Sequence, residues 1–327
     1  MSETYHAGID LGGTNIAALI INGDGKAVAR AKEKTEVGLG VGEMAAVMRS
    51  VLERALEKGD LYRRRIASLG VAVPSAVDPQ TGILLHAPNL GWKNEPAQAI
   101  FNEVFERETV LGNDADCGLL GEYWAGTAGD ARTVVGFFLG TGLGGGIIIN
   151  GRLHVGNRGL GGELGHHIIR RKGRRCGCGK RGCLEAYCSK TAFARKLDKK
   201  INQKGKSSVL TEYAGKDFSR LRSKHLKKAY LAGDKVVCKV LNKGAEILGI
   251  GAANMSAVLA PDCLIFGGGV MEALGEQLLP LVRQGFENNL FALNPKDVDL
   301  RLSRLGDDAV PAGAARLAMM NTDYSDQ

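Results

Sequence analysis

No run of 18 consecutive apolar residues occurs in this 327-residue chain. The longest candidate, around Ile247 to Ala260, is broken by Asn254 and Ser256 and followed by Pro261 and Asp262. A spanning helix needs about 20 such residues, so no membrane segment is expected. The motifs GxxxxGKS and GxxxxGKT are absent, which removes the P-loop as a route to ATP. Neither a positive residue before Lys26 nor an apolar signal core is found, so no secretory leader is expected and the reading is a cytoplasmic, reducing location. In such a place seven cysteines serve as ligands, reactive thiols or small core residues rather than as disulfides.

The excess of basic over acidic residues sits in one stretch. Residues 170–228 hold 20 Lys/Arg against 4 Asp/Glu, while the rest of the chain holds 23 against 31. The net charge of +8 is therefore local, and the body is acidic. No aromatic series or groove-reading motif accompanies the basic stretch, so nucleic acid is not expected as a partner. Its Lys-rich parts, Arg195 to Lys206 and Arg220 to Lys228, read as a solvated helical face. Arg174, Arg175, Lys180 and Arg181 could still draw ATP or a polyphosphate chain electrostatically.

What the chain has in plenty is glycine: 46 residues, about twice the usual share, without a collagen period. The length implies about two domains, and sliding the chain against itself supports two related ones. At an offset of 128, Gly8, Leu11, Gly12, Ile20, Ile21, Asn22 and Gly23 fall on Gly136, Leu139, Gly140, Ile148, Ile149, Asn150 and Gly151. Each copy reads as strand, Gly/Thr turn, strand and Asn-Gly hairpin. Gly140, Gly142 and Gly145 spell GxGxxG, but Ile147-Ile148-Ile149 follows as a strand where a dinucleotide site needs a helix. The turns Gly12-Gly13-Thr14 and Gly140-Thr141-Gly142 instead offer unobstructed backbone N–H groups and hydroxyls to phosphates. Asp10 precedes the first turn where the second copy has Phe138; a carboxylate beside phosphates suits Mg2+. A third cluster, Gly267-Gly268-Gly269, lies between the apolar run Cys263 to Phe266 and a helical pattern from Val270 to Leu279. In order, the three clusters suggest an actin-like ATP clamp.

His166, Cys176, Cys178 and Cys183 form a nitrogen and sulfur set of the kind zinc takes in closed structural sites. His167 could take the place of His166. Glu163 and Glu185 flank this loop, and carboxylates so anchored accept hydrogen bonds from sugar hydroxyls. At the junction of the strand Thr109 to Gly112 and a helix from Ala115 to Trp124, Asp114 is placed to accept a proton from a substrate hydroxyl; Asp116 could equally be the helix N-cap.

Together these motifs resemble the ROK family, and within it the glucokinase-like sugar kinases. The resemblance rests on Asp10-Leu11-Gly12-Gly13-Thr14, Asn113-Asp114, Leu139 to Gly146, Gly162-Glu163-Leu164-Gly165-His166, Cys176-Gly177-Cys178-Gly179, Gly182-Cys183-Leu184-Glu185 and Gly267-Gly268-Gly269. It implies an α/β fold of two actin-like, ribonuclease H-like domains with mixed sheets around a cleft, plus a zinc-bound loop. The expected division is residues 1–115, completed by a C-terminal helix at 311–327, and residues 116–310. It implies Asp114 as base for a sugar 6-hydroxyl, with Asn89, Asn113, Glu163, His166 and Glu185 on the other hydroxyls. ATP would be held by Asp10, Gly12, Gly13, Thr14, Asn15, Gly140, Thr141, Gly142 and the third glycine cluster at the adenosine. Mg2+ would sit at Asp10, and structural Zn2+ on His166, Cys176, Cys178 and Cys183, the family's histidine position choosing His166. A homodimer or larger homo-oligomer is implied, with glucose as first choice of sugar over mannose, fructose, N-acetylglucosamine and N-acetylmannosamine. Polyphosphate-using relatives share much of the pattern. The rival function is a sugar-sensing repressor, a class with an added helix-turn-helix for which the strand beginning by Tyr5 leaves no room. Many relatives read Glu-Asn-Asp-Ala-Asn where this chain has Gly112-Asn113-Asp114-Ala115-Asp116, and His167 stands where relatives vary.

Overall fold

The computed structural model describes residues 4–325, which form two compact units. One comprises the chain up to Asp130, Arg152–Gly162 and the chain from Arg304; the other is Ala131–Gly151 with Glu163–Ser303. No described helix is long and apolar enough to cross a membrane.

In the first unit a hairpin of β1 (Tyr5–Leu11) and β2 (Asn15–Asn22) continues into β3 (Ala27–Lys34). There follow α1 (Val41–Lys58), β4 (Ile66–Val73), a small hairpin of β5 (Leu84–Ala87) and β6 (Trp92–Glu95), α2 (Ala97–Phe105), β7 (Val110–Asn113) and α3 (Asp114–Trp124). The sheet order is β3-β2-β1-β4-β7, antiparallel across the first three strands and parallel from β1 to β7. Ala7, Ile9 and Leu11 alternate into the core and are fully buried, about 1.5–3 kcal/mol for each of the two larger side chains. On β3 the alternation is Ala29 and Ala31 inward with Arg30 and Lys32 outward, charges that protect an edge strand from foreign pairing. Helix α1 covers the sheet because Val41, Met44, Ala45, Met48, Val51, Leu52 and Ala55 recur at helical spacing and are all buried.

The second unit opens on the hairpin β8 (Val134–Leu139) and β9 (Leu143–Ile149), after which Asn150 and Gly151, both at positive φ, turn the chain into the two-residue β10 (Arg152–Leu153). A twin positive φ is what a tight Asn-Gly hairpin demands. Beyond the Cys-containing loop come α4 (Glu185–Cys188), α5 (Lys190–Ile201), α6 (Leu210–Ala214), α7 (Ser223–Leu231), α8 (Lys235–Leu259), β11 (Cys263–Gly267), α9 (Gly268–Glu287) and β12 (Asp299–Leu302). Here the strands run β9-β8-β11-β12, with β9 and β8 antiparallel and β8, β11 and β12 parallel, so both sheets pass from antiparallel to parallel pairing. Phe137 of β8 and Phe266 of β11 stack with centroids 5.7 Å apart at the centre of the core.

The repeat seen in the sequence is thus a repeat of sheet topology, and both sheets are mixed, as expected. Its two turns are not superimposable in register. Four residues, Gly12 to Asn15, separate the paired Leu11 and Ile16, whereas three, Gly140 to Gly142, separate Leu139 and Leu143. The gapless offset of 128 hides this one-residue difference in pairing.

The C-terminal helix, α10 (Ala309–Ser325), packs on β1, β4 and α3 within the first unit; Asp326 and Gln327, part of the helix expected at 311–327, lie outside the described residues. Since α10 lies on α3, the expected boundary at 115/116 cuts a helix that belongs with the first unit, and the division comes after it, at Asp130. Close approach is possible because a Cβ at Gly8 or Gly70 would stand 1.8 Å from the carbonyl oxygens of Pro311 and Ala314. Glycine therefore serves helix-to-sheet packing as well as the turns to which the sequence assigned it.

Candidate active site

In the first unit the candidate residues gather at the C-terminal ends of parallel strands, where open α/β sheets place their ligands. Asp10 of β1 is in register with Ala72 of β4, which is in register with Gly112 of β7. Asp114, two residues past Gly112, opens α3. Burial first, then the negative charges of Asp114 and Asp307, raise the Asp10 carboxyl to about 7, against the opposing pull of Lys32. A carboxylate so disfavoured in its charged form fits a place that a cation would neutralise, the role expected for Mg2+.

The start of α3 resolves an ambiguity of the sequence. The N-cap is Asn113, whose side-chain oxygen accepts from the N–H of Ala115 at 2.9 Å and of Asp116 at 3.3 Å. Asp116 is instead a buried residue of the first turn. Asp114 accepts from the Ala115 N–H at 2.8 Å, so its carboxylate is held at a helix N-terminus, which favours negative charge. With its oxygen engaged in capping, Asn113 retains its amide N–H groups to offer a ligand.

Beside this pair runs the first glycine turn. Gly13 and Thr14 are exposed, and the Asn89 amide nitrogen lies 3.9 Å from where a Cβ of Gly13 would stand. Thr35, which no motif flagged, fastens the turn from behind: its hydroxyl donates to Gly12 O at 2.6 Å and its N–H to Thr14 O at 3.0 Å. The turn's carbonyls are thereby drawn toward β3.

The second unit repeats the device. Thr191 of α5 donates its hydroxyl to Thr141 O at 2.9 Å and its N–H to the same oxygen at 3.3 Å, while the Lys190 N–H reaches Gly140 O at 3.1 Å. Gly268 has φ of +79°, and a Cβ there would lie 2.7 Å from the Leu139 nitrogen. The N-terminus of α9 is in this way brought against the strand end that carries the second turn, a setting suited to anions. Gly269 follows in the first turn of that helix and Gly267 caps it.

Around the Cys-containing loop, the ligand atoms of His166, Cys176, Cys178 and Cys183 all lie within 4.8 Å of one another. Nδ1 of His166 is 3.7 Å from Cys176 Sγ, and the sulfurs of Cys178 and Cys183 are 3.7 Å apart. A tetrahedron with bonds of about 2.3 Å has edges of about 3.8 Å, so the set fits zinc. His167 turns elsewhere: its Nδ1 is 2.6 Å from Leu164 O and burial lowers its pKa. The outer nitrogen of His166, Nε2, stands 4.0 Å from the exposed Glu163 carboxylate.

Glu185 joins loop and turn. One carboxylate oxygen is 3.1 Å from Cys176 Sγ, and the other accepts from the Leu143 N–H at 3.1 Å. A Cβ on Gly142 would stand 2.5 Å from that second oxygen, so glycine at 142 admits the carboxylate. Burial raises the Cys176 thiol pKa, and the Glu185 carboxylate beside it adds to the rise.

The ROK family model matches residues 6–321. A glucokinase of Halalkalibacterium halodurans is 30% identical over 318 residues, covering 97% of this chain and 96% of the relative. A xylose repressor of Caldicellulosiruptor bescii is 29% identical, over 97% of this chain and 78% of its own length. Among solved structures, a ROK family glucokinase from Streptomyces griseus, in complex with glucose and AMPPNP, superimposes with a TM-score of 0.83 at 30% identity, covering 97% of this chain and 99% of that one. With a family match spanning nearly all its residues, the chain belongs to the ROK family.

Proposed function

We propose that this ROK-family member, an ATP-dependent sugar kinase, transfers the γ-phosphoryl group of ATP to the 6-hydroxyl of glucose, with Asp114 as general base. The observation that carries this reading is the placement of Asp114 at a helix N-terminus beside Asp10, at the strand ends of a unit whose glycine turn is exposed. Its support from relatives is the glucokinase match over nearly the full length of both chains.

Asp114 orients the hydroxyl and accepts its proton as the oxygen bonds to phosphorus; in a loose phosphoryl-transfer transition state this contributes roughly 10²- to 10⁴-fold. In each unit the amides and hydroxyls of the glycine turn are suited to phosphate oxygens, and Thr35 and Thr191 draw the turn carbonyls aside. Bound at Asp10, Mg2+ would neutralise phosphate charge. In the second unit Glu163, Glu185 and the outer nitrogen of His166 are suited to bond sugar hydroxyls, and in the first unit Asn89 and the Asn113 amide are. His166, Cys176, Cys178 and Cys183 would hold zinc, which fixes that loop and leaves no open position for chemistry.

The test is a coupled assay of ADP formation with ATP and a panel of hexoses, compared as kcat/KM. Glucose should lead; a preference for mannose, fructose or an N-acetylated sugar would move the substrate, and turnover with polyphosphate alone would move the donor. Asp114→Asn should keep sugar affinity and lose at least about 10²-fold in kcat. Near-normal turnover of that variant would remove Asp114 as base. The match to a xylose repressor favours one other reading, a sugar-sensing regulator. Absence of turnover with every hexose, together with salt-sensitive DNA binding, would establish it instead.

A further inference from the structure

The basic segment is not simply a solvated face. In the second unit, α5 and α8 border a cavity of about 640 Å³, within the range of about 300–1,000 Å³ usual for small-molecule sites. Its cations are Arg174, Lys196, Lys200, Lys239 and Lys243, against a single acid, Glu246. Among the described residues only Lys243 of the five has an ion-pair partner, Glu246 at 2.7 Å. The remaining lining is largely apolar: Tyr187, Phe193, Val240 and Ile247.

The geometry is built rather than incidental. Gly244 lets α8 approach Phe193, since a Cβ there would stand 2.4 Å from the ring. Arg174 is fixed over the Tyr187 ring at 4.5 Å, its own N–H donates to the Tyr187 hydroxyl at 2.9 Å, and its guanidinium donates to Ala186 O at 3.3 Å. A stacked guanidinium is pre-organised to pair with phosphate. Burial and the surrounding positive charges lower the ammonium pKa of both Lys196 and Lys200, a repulsion that an anion would relieve.

We propose that this cavity is a second ligand site, for a small organic polyphosphate carrying at least two phosphate charges and an apolar ring. The charges answer the uncompensated cations and the ring covers the apolar lining. Inorganic phosphate would leave most of the volume and all of that lining unused. The cavity shares no lining residue with the glycine turns or with Asp114, and it does not depend on the kinase reading.

The test is isothermal titration calorimetry of the full chain with ATP, comparing wild type with Lys196→Glu/Lys239→Glu. Wild type should bind one more equivalent of ATP than the double variant. Inorganic tripolyphosphate should compete for that equivalent at least 10-fold more weakly than ATP. Equal stoichiometry in the two proteins would overturn the site, and tripolyphosphate binding as tightly as ATP would overturn the organic part of the ligand. If no hexose is ever turned over and the catalytic site takes no ATP, the difference of one equivalent should persist, so the two readings fail separately. Should the double variant unfold, Lys239→Gln decides: 3- to 10-fold weaker binding of the extra equivalent at an unchanged unfolding midpoint is expected, and unchanged affinity would overturn the proposal.

Discussion

The carboxylate of Glu185 lies 3.1 Å from the sulfur of Cys176. One side chain thus touches a candidate metal ligand and, through its other oxygen, the N–H of Leu143 at the end of the second glycine turn. Loop order and sugar affinity should therefore be coupled. Purified protein should contain about one zinc per chain, measurable by atomic emission. Chelation, or Cys183→Ser at a fully buried position, should lower the unfolding midpoint and raise the glucose KM by at least about 10-fold, one bond to a charged group being worth about 1.5–3 kcal/mol. A metal-free protein with normal KM would remove the metal from the site.

Asp10 carries a stability signature. Its carboxyl is raised from 3.8 to about 7 in the folded chain, so between those values the native state binds the proton that the unfolded chain has released. Stability without ligands should fall as pH rises through this window, by a few kcal/mol at most, about 1.4 for each pH unit of difference. Asp10→Asn should raise the unfolding midpoint at pH 8, leave it nearly unchanged at pH 4, and abolish the stabilisation that Mg2+ with ATP gives the wild type. Denaturation curves at both pH values check the sign; a variant less stable at pH 8 would contradict it.

Thr35 and Thr191 should act on nucleotide binding alone. Each holds turn carbonyls by a hydroxyl and a backbone N–H, and a valine in either place keeps the N–H bond and the side-chain shape. Loss of one hydroxyl bond is worth about 0.5–1.5 kcal/mol, or roughly 2- to 10-fold. The ATP KM of Thr35→Val and of Thr191→Val should rise by that factor with the sugar KM unchanged. Steady-state kinetics with each substrate varied separately measure both.

These two threonines also mark where the sequence stops being readable. The hairpins were legible because apolar alternation flanks Gly/Thr turns twice, and the candidate metal cluster because three cysteines and a histidine fall within 18 residues. A lone threonine at the end of β3 or the start of α5 has no pattern, and its role exists only once the chain folds back on the turn. The N-cap of α3 was missed for a related reason: the sequence offered Asp116 for it, but Asn is as good a capping residue as Asp, and only the backbone geometry selects Asn113. Lys196 and Lys200 recur at helical spacing and read as a solvated face, yet α8 lies close enough to wall them into a cavity. The register difference between the turns and the division after α3 likewise depend on pairing and packing that identity at a fixed offset does not encode.

Gly140 and Gly142 should respond unequally to the same substitution. A Cβ at Gly140 meets nothing within 4 Å, whereas one at Gly142 would stand 2.5 Å from a Glu185 oxygen. Alanine at 142 must displace that carboxylate and with it the bond to the Leu143 N–H. Gly142→Ala should therefore raise the KM for glucose as well as for ATP, each by about 10-fold or more, the cost of a displaced charged hydrogen bond. Gly140→Ala, at a position whose N–H bonds Gly142 O at 3.1 Å without crowding, should stay within about 3-fold of wild type in both. Kinetics on the pair separate a steric effect through Glu185 from a general intolerance of side chains in the turn, since the latter would impair both variants alike.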